Sequence, residues 1–357
     1  MNLLHSVKYS VIYWTLGVLL VIMVVISAGV GAVHLPVSEI IDIISHAFGG
    51  HPDTPINSIH EGLFFQIRLP RTCMCFVVGA ALSVSGALMQ SLFRNPIVEP
   101  GLVGTSAGAA LGASFTFVFA KVGIFAELAF LGDLLLPLVA FVGGLTATTI
   151  VYRFSSFYGK VNVSTMILAG IAVNAMAAGG TGFLSYIARD PQARSITFWN
   201  LGTFSGADWK SVIIVASITL ICILAVLRYA KPLNALQLGE TEANYLGINI
   251  ERMKIQLILI NTLMVSVATS MVGVISFVGL TVPHLLRILK GSDNRYLMIG
   301  SALMGGILMT IADMLARIII APAEMPIGII TAFVGAPVFL WLLYRNRKSG
   351  RRGGFYA

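Results

Sequence analysis

Apolar runs long enough to cross a lipid bilayer recur along this chain from Val11 to Leu343, and that repetition restricts its fold more than any other feature. A spanning helix needs about 20 mostly apolar residues, because a helix satisfies its own backbone groups across the hydrocarbon. Ten stretches qualify: 11–33, 71–92, 101–120, 129–152, 164–187, 209–229, 255–273, 274–289, 296–317 and 326–344. The seventh and eighth form one run broken by Gly273 and Gly279, with Pro283 in its second half, which reads as a tight turn and a short kinked helix. With 57% hydrophobic and 11% charged residues, against about 25% charged in a soluble domain, the chain is predicted to be an all-α polytopic membrane protein. Soluble enzymes, disulfide scaffolds and disordered chains are excluded. Residues 1–347 read as one transmembrane domain, and 348–357 as a basic, disordered cytoplasmic tail.

The net charge of +8 is explained by sidedness. With the N-terminus inside, more than two-thirds of the 23 Lys and Arg fall in one set of alternate loops. An even number of spans then places both termini in the cytoplasm, and nucleic acid is not needed to account for the basicity. The first run lacks a small-residue cleavage site and reads as a retained helix rather than a signal peptide. Residues 34–48 have apolar positions at helical spacing, predicting an interfacial helix on the outer face. The longest hydrophilic cytoplasmic stretch is 230–254, with turn signals at Pro232, Gly239 and Gly247.

Signatures of soluble catalysis are missing. Gly159-Lys160 lacks the earlier glycine and following hydroxyl of a phosphate loop, and no His-Glu-x-x-His occurs. Asp313 is the clearest ionisable group inside a span, which marks either a functional carboxylate or one that packs helices. His34, His46, His51 and His60 match no metal spacing and read as solvated loop histidines. Cys73, Cys75 and Cys222 lie in apolar runs and read as buried, inert thiols. Gly104, Gly108 and Gly112 repeat every fourth residue, giving a smooth helix strip for close packing, with a direct substrate role as the weaker reading.

An ordered set of motifs is more specific. Arg68-Leu-Pro-Arg71, Val78-Gly-Ala-Ala-Leu82, Ser85-Gly-Ala-Leu-Met-Gln90 and Arg94-Asn-Pro-Ile-Val-Glu-Pro-Gly-Leu-Val-Gly104 are followed by Leu168-Ala-Gly170 and Phe198-Trp-Asn-Leu-Gly202. Then come Leu238-Gly-Glu-Thr-Glu-Ala-Asn-Tyr-Leu-Gly247, Gly279-Leu-Thr-Val-Pro-His284, Ala323-Glu-Met-Pro-Ile-Gly328 and Gly335-Ala-Pro337. Together they resemble the FecCD family, the permease subunits of ABC importers for iron-siderophores, haem and cobalamin.

The resemblance implies ten helices, a homodimer with the path at its interface, two copies of a separate ATPase inside and a substrate-binding protein outside. ATP and magnesium belong to that ATPase; no cofactor or metal is expected on this chain, nor enzymatic activity of its own. It also implies a multi-pass protein of the bacterial inner membrane. By position, Arg68, Arg71 and Arg317 match outward-facing arginines that pair with carboxylates of the binding protein, although snorkelling would account for any one of them. Gly239, Glu240, Ala243, Leu246 and Gly247 match an ATPase-docking helix. Asn95, Ile97, Val163 and Ser164 match positions that narrow the cytoplasmic end of the path. The stretch Arg189-Asp-Pro-Gln-Ala-Arg194 before Phe198-Trp199 looks more like iron-siderophore and haem members than cobalamin ones. A proton-coupled carrier would need relay carboxylates or histidines inside the membrane, and beyond Asp313 none is evident. A membrane-embedded enzyme would need converging polar residues, and a zinc or manganese permease a His and Asp lining; neither is evident.

Overall fold

A computed structural model of the chain describes residues 8–31, 33, 35–47, 49–50, 57–120 and 122–349. Among them, seven helices are long and apolar enough to cross a membrane. In chain order the main helices are α1 (Tyr9–Gly29), α2 (Val37–Ala47), α3 (Ser58–Leu92), α4 (Thr105–Phe119), α5 (Leu135–Ser155), α6 (Val163–Ile187) and α7 (Gln192–Leu201). They continue as α8 (Trp209–Arg228), α9 (Ala230–Leu238), α10 (Glu240–Tyr245), α11 (Ile250–Val272), α12 (Val278–Lys290), α13 (Asn294–Ile318) and α14 (Ile327–Ser349). A small antiparallel hairpin, β1 (Ser156–Phe157) with β2 (Lys160–Val161), joins α5 to α6.

α3 is the central post. Its sequence through the bundle is dense in Gly, Ala and Ser, and nearly every residue from Met74 to Leu92 is buried. Small residues let neighbouring backbones approach, which is where helix association inside a membrane gains its dispersion energy. A side chain at Gly79 would run into the carbonyl of Gly305 on α13, and one at Gly86 into the carbonyl of Gly279 on α12. At 35 residues α3 is about 50 Å long, so its first turns extend beyond the about 30 Å hydrocarbon layer. The helix thus starts at Ser58, ahead of the span predicted from residue 71, with one π-helical segment at Leu63–Arg68.

α4 and α12 are only 15 and 13 residues long, about 22 and 20 Å, too short to cross alone. The stretches predicted at 101–120 and 274–289 thus begin with non-α backbone: a 3-10 turn at Pro100–Val103 before α4, and residues 273–277 before α12. Such backbone is tolerated at membrane depth only where protein or a cavity satisfies it. Gly108 and Gly112 lie where α4 meets the backbone of α5 at Gly143 and Val139. Gly104 instead precedes α4 with φ +92°, a left-handed conformation that disfavours a side chain.

The 34–48 prediction narrows to α2, whose Ile40 and Ile43 bury against Ala28, Leu35 and Phe64 while Val37 and Ile41 stay exposed. His60 and His46 are not simply solvated: they meet Glu39 at 2.6 Å and Glu61 at 3.5 Å, fastening α2 to the start of α3. His34, His51 and residues 350–357 of the predicted tail lie outside the described residues. The 230–254 stretch is mostly helical, divided among α9, α10 and the start of α11.

Candidate functional site

Three arginines, those that match the binding-protein contacts, meet at one end of the bundle. Arg68, Arg71 and Arg317 are 5%, 8% and 8% exposed, so each is engaged within the protein. Arg71 grips Asp313 through Nε (3.0 Å) and Nη2 (2.9 Å), and its Nη1 reaches Glu324 at 2.7 Å. Arg317 meets the other Asp313 oxygen at 3.0 Å and donates to the Ser27 and Val30 carbonyls at 3.2 and 2.6 Å. Arg68 donates to the carbonyls of Ala28 (2.7 Å), Gly29 (3.0 Å) and Val33.

The physical reason lies in α1. A helix ends with carbonyls that lack intrahelical donors and carry partial negative charge. Guanidinium, a fork of five N–H donors, satisfies several of them at once. Asp313, flagged by sequence as a lone intramembrane carboxylate, is 1% exposed and pinned between two arginines. Glu324 is the accessible member of the group, its side chain 41% exposed.

A cavity of about 650 Å³ opens between the non-α segments before α4 and α12, the inner side of α6 and α7. That volume is typical of small-molecule sites, about 300–1,000 Å³. Its walls are mainly apolar and small, including Leu82, Ala107, Ala110 and Ala178, with Glu99, Asn174 and Thr181 among its polar groups. One Glu99 oxygen accepts the backbone N–H of Phe277 at 3.1 Å, just ahead of α12. Asn174 donates to the Leu102 carbonyl at 3.3 Å, leaving its own oxygen without a partner; the Thr181 hydroxyl is likewise unpartnered. These groups can exchange hydrogen bonds with water or a passing polar solute without loss of an internal bond. Sequence reasoning quoted Glu99 in a motif and gave it no role; its place between two prolines in a non-helical run was the available signal.

At the other end of the bundle, α10 is bounded by Gly239 (φ +140°) and Gly247 (φ +80°). Leu246 and Tyr245 are 66% and 87% exposed, whereas Ala243, expected on the presenting face, is fully buried. A six-residue helix lying on the bundle must turn one side inward, and alanine there permits close approach. Glu240 also turns in, to Lys254 at 3.1 Å.

Val163 and Ser164 line a cleft of about 520 Å³ together with Arg94, Glu240, Glu251 and Lys254. The structure thus brings two expected gate positions beside the expected docking helix. Asn95 and Ile97 form an adjacent turn in which the Asn95 side chain accepts from the Ile97 N–H at 3.0 Å. Among the described residues no group of three or more His, Cys, Asp or Glu is arranged to hold a metal. Cys75 and Cys222 are buried and Cys73 is half-buried.

Residues 19–345 match the model of the FecCD transport family. The chain is 40% identical over 340 residues to the hemin transport system permease protein HmuU of Yersinia pestis, covering 94% of this chain and 96% of that protein. It is 39% identical over 289 residues to the vitamin B12 import system permease protein BtuC of Salmonella paratyphi A, covering 81% and 85%. A solved inward-facing conformation of a metal-chelate type ABC transporter superposes with a TM-score of 0.79 at 30% identity, covering 94% of this chain and 99% of that one. Bundle, cavity and glycine-bounded helix therefore sit within a match that runs almost end to end: this chain belongs to the FecCD transport family and is an ABC-transporter permease.

Proposed function

We propose that the chain is the membrane-spanning permease of an importer for an iron chelate, haem or an iron-siderophore, working as a homodimer in the bacterial inner membrane. The observation that carries this reading is the 40% identity to a hemin permease across 96% of that protein. All ten predicted spans have a helical counterpart, two of them (α4 and α12) short, and the proposal takes each as crossing the bilayer with both termini cytoplasmic. A separate ATPase holds ATP and magnesium and seats on the exposed side of α10, around Tyr245 and Leu246. A substrate-binding protein delivers cargo at the opposite end.

The cavity beside Glu99 supports passage rather than storage. Apolar, small walls with a few unpartnered acceptors hold a large chelate weakly, and a weakly held cargo can leave again. For docking of the binding protein, Arg71 is the arginine best placed. A partner's carboxylate can replace Glu324, the exposed ligand, while Asp313 keeps Arg71 anchored. Asp313, neutralised by two arginines, suits this clamp better than a proton relay.

The test is reconstitution in liposomes with the cognate ATPase and binding protein. Haemin uptake that needs ATP is the expected result. Uptake of cyanocobalamin instead selects the second reading, which the 39% identity to a vitamin B12 permease favours. Transport by this chain alone on a proton gradient overturns both. The docking surface has its own check: Tyr245→Asp with Leu246→Asp should cut ATPase co-purification by about tenfold or more, as charges at the centre of an apolar contact do, while the permease itself remains folded.

A further inference from the structure

Lys254 lies four residues into α11 and is 3% exposed, yet its ammonium is fully used. It reaches Glu240 of α10 at 3.1 Å, Glu251 of its own helix at 3.0 Å and the Val161 carbonyl of β2 at 3.3 Å. An ammonium has three donors, and here each goes to a different element. Glu251 closes the loop by accepting the Val161 N–H at 2.7 Å. Both backbone polar groups of Val161 are therefore held by the Glu251–Lys254 pair. Beyond that grip the hairpin is fixed by the buried Val161 side chain and the Asn162 N–H to Ser155 carbonyl bond at its base; its strands are two residues each, and Phe157 and Tyr158 at its tip are 77% and 97% exposed. Immediately beyond, Asn162 caps α6 by accepting the Thr165 N–H at 3.0 Å, and Val163 and Ser164 follow in the cleft.

We propose that Lys254 is a positioning residue that transmits movement of α10 to the β1–β2 hairpin and so to the first turn of α6. The proposal rests on the reading of α10 as the ATPase seat. Its geometry is short and continuous: Glu240 opens α10 directly after Gly239, whose φ of +140° breaks the helical path from α9, and a displacement of Glu240 bears on a buried charge that also holds Val161. Two elements of low intrinsic stability, the six-residue helix and the hairpin, are joined through one rigid helix, α11. Glu240 and Glu251 keep 42% and 31% of their side chains exposed, so losing the lysine leaves carboxylates that water can reach.

The experiment uses the full transporter in proteoliposomes, with haemin as the probe, and compares the wild type with Glu240→Gln, Lys254→Met and Lys254→Arg. ATP hydrolysis and haemin uptake are measured together, and a nitroxide on Tyr158→Cys reports hairpin motion on ATP binding. Glu240→Gln is expected to reduce haemin uptake per ATP hydrolysed about tenfold, within the usual range of coupling between sites. The ATP-dependent change at position 158 should disappear with it. Lys254→Met should behave likewise, and Lys254→Arg, which keeps charge and donors, should restore most of the uptake. A merely structural lysine would alter yield or melting and leave uptake per ATP unchanged. Unchanged uptake per ATP in Glu240→Gln, or an undiminished ATP response at position 158, overturns the proposal even if Lys254→Met fails to fold. Absence of ATP-driven haemin uptake in the wild type would instead count against the function proposed above.

Discussion

Asp313→Ala is expected to lower the stability of the folded permease by about 3–5 kcal/mol, the usual result of removing one partner from a buried ion pair. The carboxylate is 1% exposed and shared by Arg71 and Arg317, so its loss leaves two guanidinium groups at a site with little water. Arg317 still has the Ser27 and Val30 carbonyls, but among the described residues Arg71 keeps only Glu324. The cost should therefore fall mainly on Arg71. Adding Arg71→Met should recover a measurable part of the loss, since it removes the stranded charge and leaves the exposed Glu324 to water. Asp313→Asn, which retains an acceptor, should be milder than Asp313→Ala. Melting of the detergent-solubilised protein, followed by size-exclusion chromatography, ranks the three. Equal stability of Asp313→Ala and wild type would show that the cluster adds nothing to the fold.

Gly86→Val should be damaging as well, for a steric reason. A Cβ at position 86 enters the carbonyl of Gly279, and backbone cannot step aside as a flexible side chain can. Overpacking a tight core costs about 1–3 kcal/mol, and a clash with backbone lies at or above the top of that range. The displacement would also pull apart hydrogen bonds between the same helices. Gln90 donates to the Leu280 carbonyl at 3.2 Å, and Arg287 reaches Gln90 and, at 3.1 Å, the Ser91 hydroxyl. The expected observation is a sharp fall in monodisperse protein. Gly49→Val, where a side chain meets nothing within 4 Å, is a control for the volume change, though its φ of +86° carries a backbone cost of its own.

How far the sequence discloses such features depends on how local their causes are. The long spans were legible because hydropathy sums along a stretch of chain, and α6, α8, α11 and α13 begin within a few residues of the predicted limits or at them. The start of α3 was not. Residues 57–68 include Asn57, Glu61, Gln66 and Arg68, which look like loop until α1 and α2 are seen to pack on Phe64 and Arg68. The fate of the arginines was hidden for a related reason. Arg71 and Asp313 are 242 positions apart, and no periodicity joins them. Arg317 was half-visible, since Asp313–Arg317 has the i,i+4 spacing of a helical ion pair. Ala243 was misread because six residues are too few for a helix to declare its inner face. Lys254 was counted as a loop charge, although Glu251 three residues earlier already gave it a partner on one helix face.

By itself, then, the sequence determined that this chain lives in a bilayer, and its ordered motifs identified the transport family it belongs to. Those conclusions need only composition, spacing and order, which are properties of the chain read in one dimension. The tertiary structure alone decided which charges are spent inside the protein, where α4 and α12 fall short and leave a cavity, and that Lys254 bridges α10 to the hairpin. Each of these depends on which distant groups meet in a medium poor in water, where an ion is kept only if a partner of opposite charge or a row of carbonyls is within reach.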